Sequence, residues 1–68
     1  MNNFNGERLK KARIYREMTV FELAQKMNCE RQLISMYENN KLKPEKKIIK
    51  QIAKELYFPV KFFFRKRK

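Results

Sequence analysis

The segment from Thr19 to Glu38 carries the side chains whose types and spacing suggest chemistry. Its second half keeps Leu33, Ile34 and Tyr37 at helical spacing on one side and leaves Glu30, Arg31, Gln32 and Met36 on the other. A guanidinium beside an amide and a carboxylate is a hydrogen-bonding set, suited to recognition. Catalysis lacks its parts. The chain has no His and no Asp, one Ser (Ser35), one Thr (Thr19), one Cys (Cys29) and one Gly (Gly6). No His can act as general base, no glycine-rich loop can cradle a phosphate, and no cluster has metal-ligand spacing. The expectation is a protein that is no enzyme, with no cofactor, no metal and no small-molecule substrate.

Charge narrows the partner. Eighteen Lys and Arg against seven acidic residues give a net charge of +11 at pH 7. So large an excess favours a polyanion, because neutralising phosphates releases their condensed counterions. Sixty-eight residues suffice for one small domain. A lone cysteine can close no internal disulfide, so helix packing must supply the stability. No apolar run approaches the roughly 18 residues of a membrane span and no signal-peptide pattern opens the chain, so a soluble, cytoplasmic protein is expected.

The elements that would position these residues follow from caps and periodicity. Asn5 or Gly6 can cap a first helix from about Gly6 to Glu17, with Leu9 and Ala12 inward. Thr19, with Glu22 three residues on, is a capping box that opens a second helix running to about Met27. Asn28 suits a tight left-handed turn. A third helix then spans roughly Arg31 to Glu38. Asn39, Asn40 and Lys41 break it, and Pro44 can start a fourth helix, about Glu45 to Leu56, with Ile48, Ile49, Ile52, Ala53 and Leu56 on one stripe and lysines outside. Pro59 opens a final helical turn with Val60, Phe62, Phe63 and Phe64. The alternative there, an edge strand, has no second strand in view. The predicted fold is all-α: a compact bundle of about five short helices over residues 1–64, containing two helices joined by a sharp turn, then a basic tail at 65–68. Two helices so joined can offer the second one to the major groove of DNA.

Many short matches at fixed spacing carry a family likeness. They include Gly6 to Lys10 and Arg13 in the first helix, then Thr19, Glu22 to Ala24 and Lys26 in the second. Ile34, Ser35 and Tyr37 to Asn39 follow in the third, with Lys41, Pro44 and Ile52 to Lys54 beyond. Over nearly the whole chain, Gly6 to Phe64, the sequence resembles the lambda-repressor-like, Cro-type (XRE family) helix-turn-helix DNA-binding domain. The resemblance implies a third helix laid in the major groove, with Glu30, Arg31, Gln32 and Met36 facing bases. The chemistry agrees: Arg can pair bidentately with guanine, Gln with adenine, a carboxylate can accept from cytosine N4, and Met can touch a thymine methyl. Glu30 could instead cap the helix. Phosphate contacts are expected from Arg13, Thr19, Ser35, Asn39, Lys41 and Lys43. Arg13 could instead, or also, pair with Glu38, as matching positions do in some relatives, which would tie the first helix to the loop and orient the guanidinium for a phosphate.

The resemblance implies a sequence-specific, double-stranded DNA-binding transcriptional regulator of phage, plasmid or bacterial type. Most relatives bind an operator as a homodimer, and Phe62 or Phe64, if exposed, could join two copies. The residues also leave another class open: a protein-interaction module of antitoxin or inhibitor type that keeps the fold. Val20, where the family usually has a phosphate-contacting Gln, and Glu30, where Ser or Thr is common, favour it. A basic amphipathic membrane binder is the weakest reading. Whether the chain stands alone or is the DNA-binding piece of a longer protein is open.

Overall fold

The computed structural model describes residues 3–65, so the first two residues of the polar arm and residues 66–68 of the expected tail lie outside the described residues. The order is β1 (Asn3–Phe4), α1 (Gly6–Tyr15), α2 (Val20–Lys26), α3 (Arg31–Glu38), α4 (Lys46–Leu56), a 3-10 helix (Val60–Phe63) and β2 (Phe64–Arg65). The all-α class holds: four helices and one helical turn pack around a single core. Leu9, Leu23, Ile34, Ile52, Leu56 and Phe63 are fully buried at its centre. Each contributes about 1.5–3 kcal/mol by leaving water.

All four helices stop the same way. Glu17, Asn28, Asn40 and Tyr57 each adopt φ 58°. After each of these residues a backbone N–H reaches back five positions: Met18 to the Arg13 carbonyl, Cys29 to Ala24, Lys41 to Met36, and Phe58 to Ala53. This left-handed stop satisfies carbonyls at a helix end and usually uses glycine. Here it ends α1 and α2 earlier than apolar spacing suggests, at Tyr15 and Lys26. Pro44 does not begin α4. It is buried just ahead of the N-cap, Glu45, and the helix starts at Lys46.

The C-terminal region combines both readings of its aromatics. Val60–Phe63 is helical, while Phe64 and Arg65 pair antiparallel with Phe4 and Asn3. The second strand comes from the N-terminal arm, far away in sequence. The Asn5 N–H donates to the Phe63 carbonyl at 2.7 Å, and the Phe4 ring stacks on Phe63 with centroids 6.3 Å apart. Arg65 thus belongs to β2 and not to the tail. Phe62 and Phe64, either of which could join two copies if exposed, are half-buried and pack on the core. Arg8 lies over Phe62, 4.8 Å from its centroid. The large aromatics left most in water are Tyr15 and Tyr57.

Candidate nucleic-acid interface

The interface begins at a cap. The Thr19 hydroxyl accepts from the Glu22 N–H at 3.0 Å, and the Glu22 carboxylate accepts from the Thr19 N–H at 2.8 Å. This reciprocal pair satisfies backbone donors that the helix start cannot. Leu23 and Ala24 then bury the inner face of α2. The chain turns at Asn28, passes Cys29 and enters α3 through Glu30, whose backbone is extended (φ −81°, ψ 143°). The Glu30 side chain makes no capping hydrogen bond, so of the two roles weighed for it capping is unused. Ile34, Tyr37 and Glu38 hold α3 to the core.

The far end of α3 is clamped to α1. Arg13 is buried, and its Nε donates to Glu38 Oε2 at 2.6 Å and its Nη2 to Oε1 at 3.3 Å. Its Nη1 donates to the Met18 carbonyl at 2.7 Å. The ion pair expected of Arg13 is therefore present, and it holds the guanidinium buried against Glu38. Gly6 packs where any Cβ would collide with the carbonyls of Tyr37 and Glu38. Its N–H donates to the Asn40 side chain at 2.9 Å. The chain's one glycine thus serves close approach, while Asn40 both makes the left-handed turn and bonds across it.

This clamp leaves one face of α3 outward. Glu30, Arg31, Gln32, Ser35, Met36 and Asn39 are all exposed. Spacings of four and seven put Arg31 and Ser35, and Gln32, Met36 and Asn39, on one side, while Glu30 stands ahead of the helix as its N-cap. The Asn39 amide donates to the Ser35 carbonyl at 2.9 Å and approaches its hydroxyl at 3.4 Å, so these two act as one polar unit. Lys41 and Lys43 are exposed in the loop just beyond, and Thr19 is exposed at the start of α2. Every expected contact residue except Arg13 is thus exposed.

Two features escaped the sequence reading. First, a cleft of about 470 Å³ opens between α2 and the first turn of α3, lined by Phe21, Ala24, Gln25, Cys29, Glu30, Arg31 and Gln32. Phe21 and Gln25 were legible only as the α2 positions left over once Leu23, Ala24 and Met27 turn inward. Second, the charge is unevenly placed. From Thr19 to Asn40 two cations, Lys26 and Arg31, meet three carboxylates, Glu22, Glu30 and Glu38, so the positive excess lies in the flanks. Segment-by-segment counting would have found this. Cys29 sits in the cleft, but burial and then the Glu30 charge raise its thiol pKa, which disfavours a reactive thiolate. Among the described residues no group of three or more His, Cys, Asp or Glu side chains is placed to hold a metal ion, and no helix is long and apolar enough to cross a membrane.

Comparison with known proteins agrees with this geometry. The helix-turn-helix family matches residues 9–58. Among solved structures, the chain is similar to PlcR of Bacillus thuringiensis, crystallised with the peptide PapR7 and DNA. Identity is 29% with a TM-score of 0.77, over 85% of this chain and 20% of that one. It also superposes on a transcriptional regulator from Listeria innocua with a TM-score of 0.81 at 13% identity, over 100% of this chain and 63% of that one, a likeness of fold alone. The chain therefore spans a fifth of one and under two thirds of the other. No curated protein matches it by sequence.

Proposed function

This chain belongs to the helix-turn-helix family of DNA-binding domains, of the lambda-repressor-like Cro (XRE) type, and from that premise we propose that it is a sequence-specific regulator of transcription. It inserts α3 in the major groove of a double-stranded operator, inside the cytoplasm. The observation that carries this reading is the outward set Arg31, Gln32, Ser35 and Met36 on a helix locked to the core from behind, with exposed Glu30 and Asn39 at its two ends. Arg31 addresses guanine O6 and N7, Gln32 addresses adenine N6 and N7, Glu30 accepts from cytosine N4, and Met36 touches a thymine methyl. Thr19, Ser35, Asn39, Lys41 and Lys43 hold phosphates and set the register. Arg13 works one step back: its ion pair with Glu38 fixes the angle at which α3 leaves the core. Two copies on a near-palindromic site would place their α3 helices about 34 Å apart, one turn of duplex.

Selection from a random duplex pool tests this directly. Enrichment of a short motif, repeated at one-turn spacing, is the expected result. A pool that stays random through successive rounds would sink the reading. A protein-interaction role is the second reading, and one observation favours it: the helix-turn-helix segment carries more carboxylates than cations. Joint Arg31→Ala and Gln32→Ala replacement separates the two, since it abolishes preference for the selected motif only if α3 reads bases.

A further inference from the structure

We propose that Phe21 is a specificity-determining residue that reads the C5-methyl group of a thymine beside the base pair addressed by Arg31. The inference rests on the DNA-binding reading above and goes beyond it, because it assigns base recognition to α2 as well as α3.

Phe21 is 52% exposed, although Phe4 and Phe63 are buried and Phe58, Phe62 and Phe64 pack against the core. It lines the cleft opposite Glu30, Arg31 and Gln32, so a duplex seated on those residues also covers its ring. The other cleft residues supplied by α2 are Ala24, which is buried, and Gln25. Against base edges an apolar ring gains most from an apolar group, and the one methyl the major groove offers is that of thymine. Guanine and adenine present N7, O6 or N6 there and cytosine its N4 amine beside a bare C5–H, so a phenyl ring gains less from them and desolvates their polar atoms. Phe21 therefore favours thymine where Arg31 and Gln32 have brought the groove against α2.

The experiment uses the full chain and the motif obtained by duplex selection. Each thymine is replaced singly by deoxyuridine, which deletes one methyl and keeps every hydrogen bond. Binding is measured for the unaltered protein and for Phe21→Ala, Phe21→Leu and Met36→Ala. One deoxyuridine is expected to weaken the unaltered protein about three- to fivefold, the factor for losing one buried methyl-sized group. It should cost Phe21→Ala nothing, cost Phe21→Leu an intermediate amount, and keep its full effect in Met36→Ala. An identical deoxyuridine profile in the unaltered protein and Phe21→Ala overturns the inference while leaving sequence-specific binding intact. So does an effect that disappears only in Met36→Ala. Failure of any motif to emerge from selection removes the inference and the DNA reading together. Phe21 is exposed, so unchanged thermal unfolding of Phe21→Ala accompanies the measurement.

Discussion

Single side chains divide into those proposed to read bases, those proposed to hold phosphates and those shut in by burial. Arg31 is exposed at the first turn of α3, whereas Lys41 is exposed in the loop behind it. A bidentate base contact discriminates, and a point charge on a phosphate does not. Arg31→Ala is therefore expected to cost about 1–3 kcal/mol on the selected motif and to relax preference at one base pair. Lys41→Ala should weaken motif and scrambled duplexes by one common factor, and competition binding against both checks the pair. Tyr37 and Cys29 predict a pH effect. Burial first, then the Cys29 and Glu45 charges, raise the Tyr37 pKa, and burial and Glu30 raise that of Cys29. Both acids then ionise more readily in the unfolded chain. Stability should be whole below the ordinary thiol and phenol values, about 8.5 and 10. It should fall as pH rises through and beyond them. Urea midpoints at pH 7 and pH 10.5 test this; a midpoint that rises with pH contradicts it.

At the scale of elements, α3 depends on how its ends are held. Removing one partner of a buried ion pair leaves the other charge without compensation. Glu38→Ala should accordingly destabilise the fold by about 3–5 kcal/mol, whereas joint replacement of Arg13 and Glu38 by Met and Leu should recover much of that loss. Chemical denaturation of the unaltered protein, the single variant and the double variant measures it. Helix termination suggests a change in the opposite direction. Glu17 is exposed and sits at φ 58°, a conformation that a side chain with Cβ adopts at a cost. Glu17→Gly is expected to stabilise by roughly 0.5–1 kcal/mol, raising Tm by several degrees in a domain of this size. Tyr57 shares the angle but does more: Arg16 donates to the carbonyls of Leu56 and Tyr57 and lies over the Phe58 ring, tying α1 to the end of α4.

For the whole molecule, charge is unevenly placed along the chain. The helix-turn-helix segment has three carboxylates to two cations, while Lys41 and Lys43 and the exposed Lys46, Lys47, Lys50 and Lys54 supply charge beyond it. On the proposed reading, long-range attraction comes from the flanks and base discrimination from a nearly neutral face. Affinity should fall linearly on a log-log plot against salt, with a slope of about −0.9 per phosphate neutralised. Removing Lys41 and Lys43 together should shorten that slope by about two units, while Gln32→Ala leaves it unchanged. A titration series from 50 to 300 mM salt decides between these outcomes.

Helix positions, the Thr19 cap, the left-handed turn at Asn28 and the outward set on α3 were legible in the chain itself, because local periodicity and capping chemistry act over three or four residues. Residue order alone also left Arg13 with two roles and the C-terminal aromatics with two conformations. Those choices rest on contacts between distant positions: Glu38 reaching Arg13, Asn40 reaching Gly6, and Asn3–Phe4 giving Phe64–Arg65 a strand to pair with. The cleft that sets Phe21 beside Arg31 is of the same kind. Such pairings depend on how close two segments come after folding, and only packing in three dimensions sets that distance.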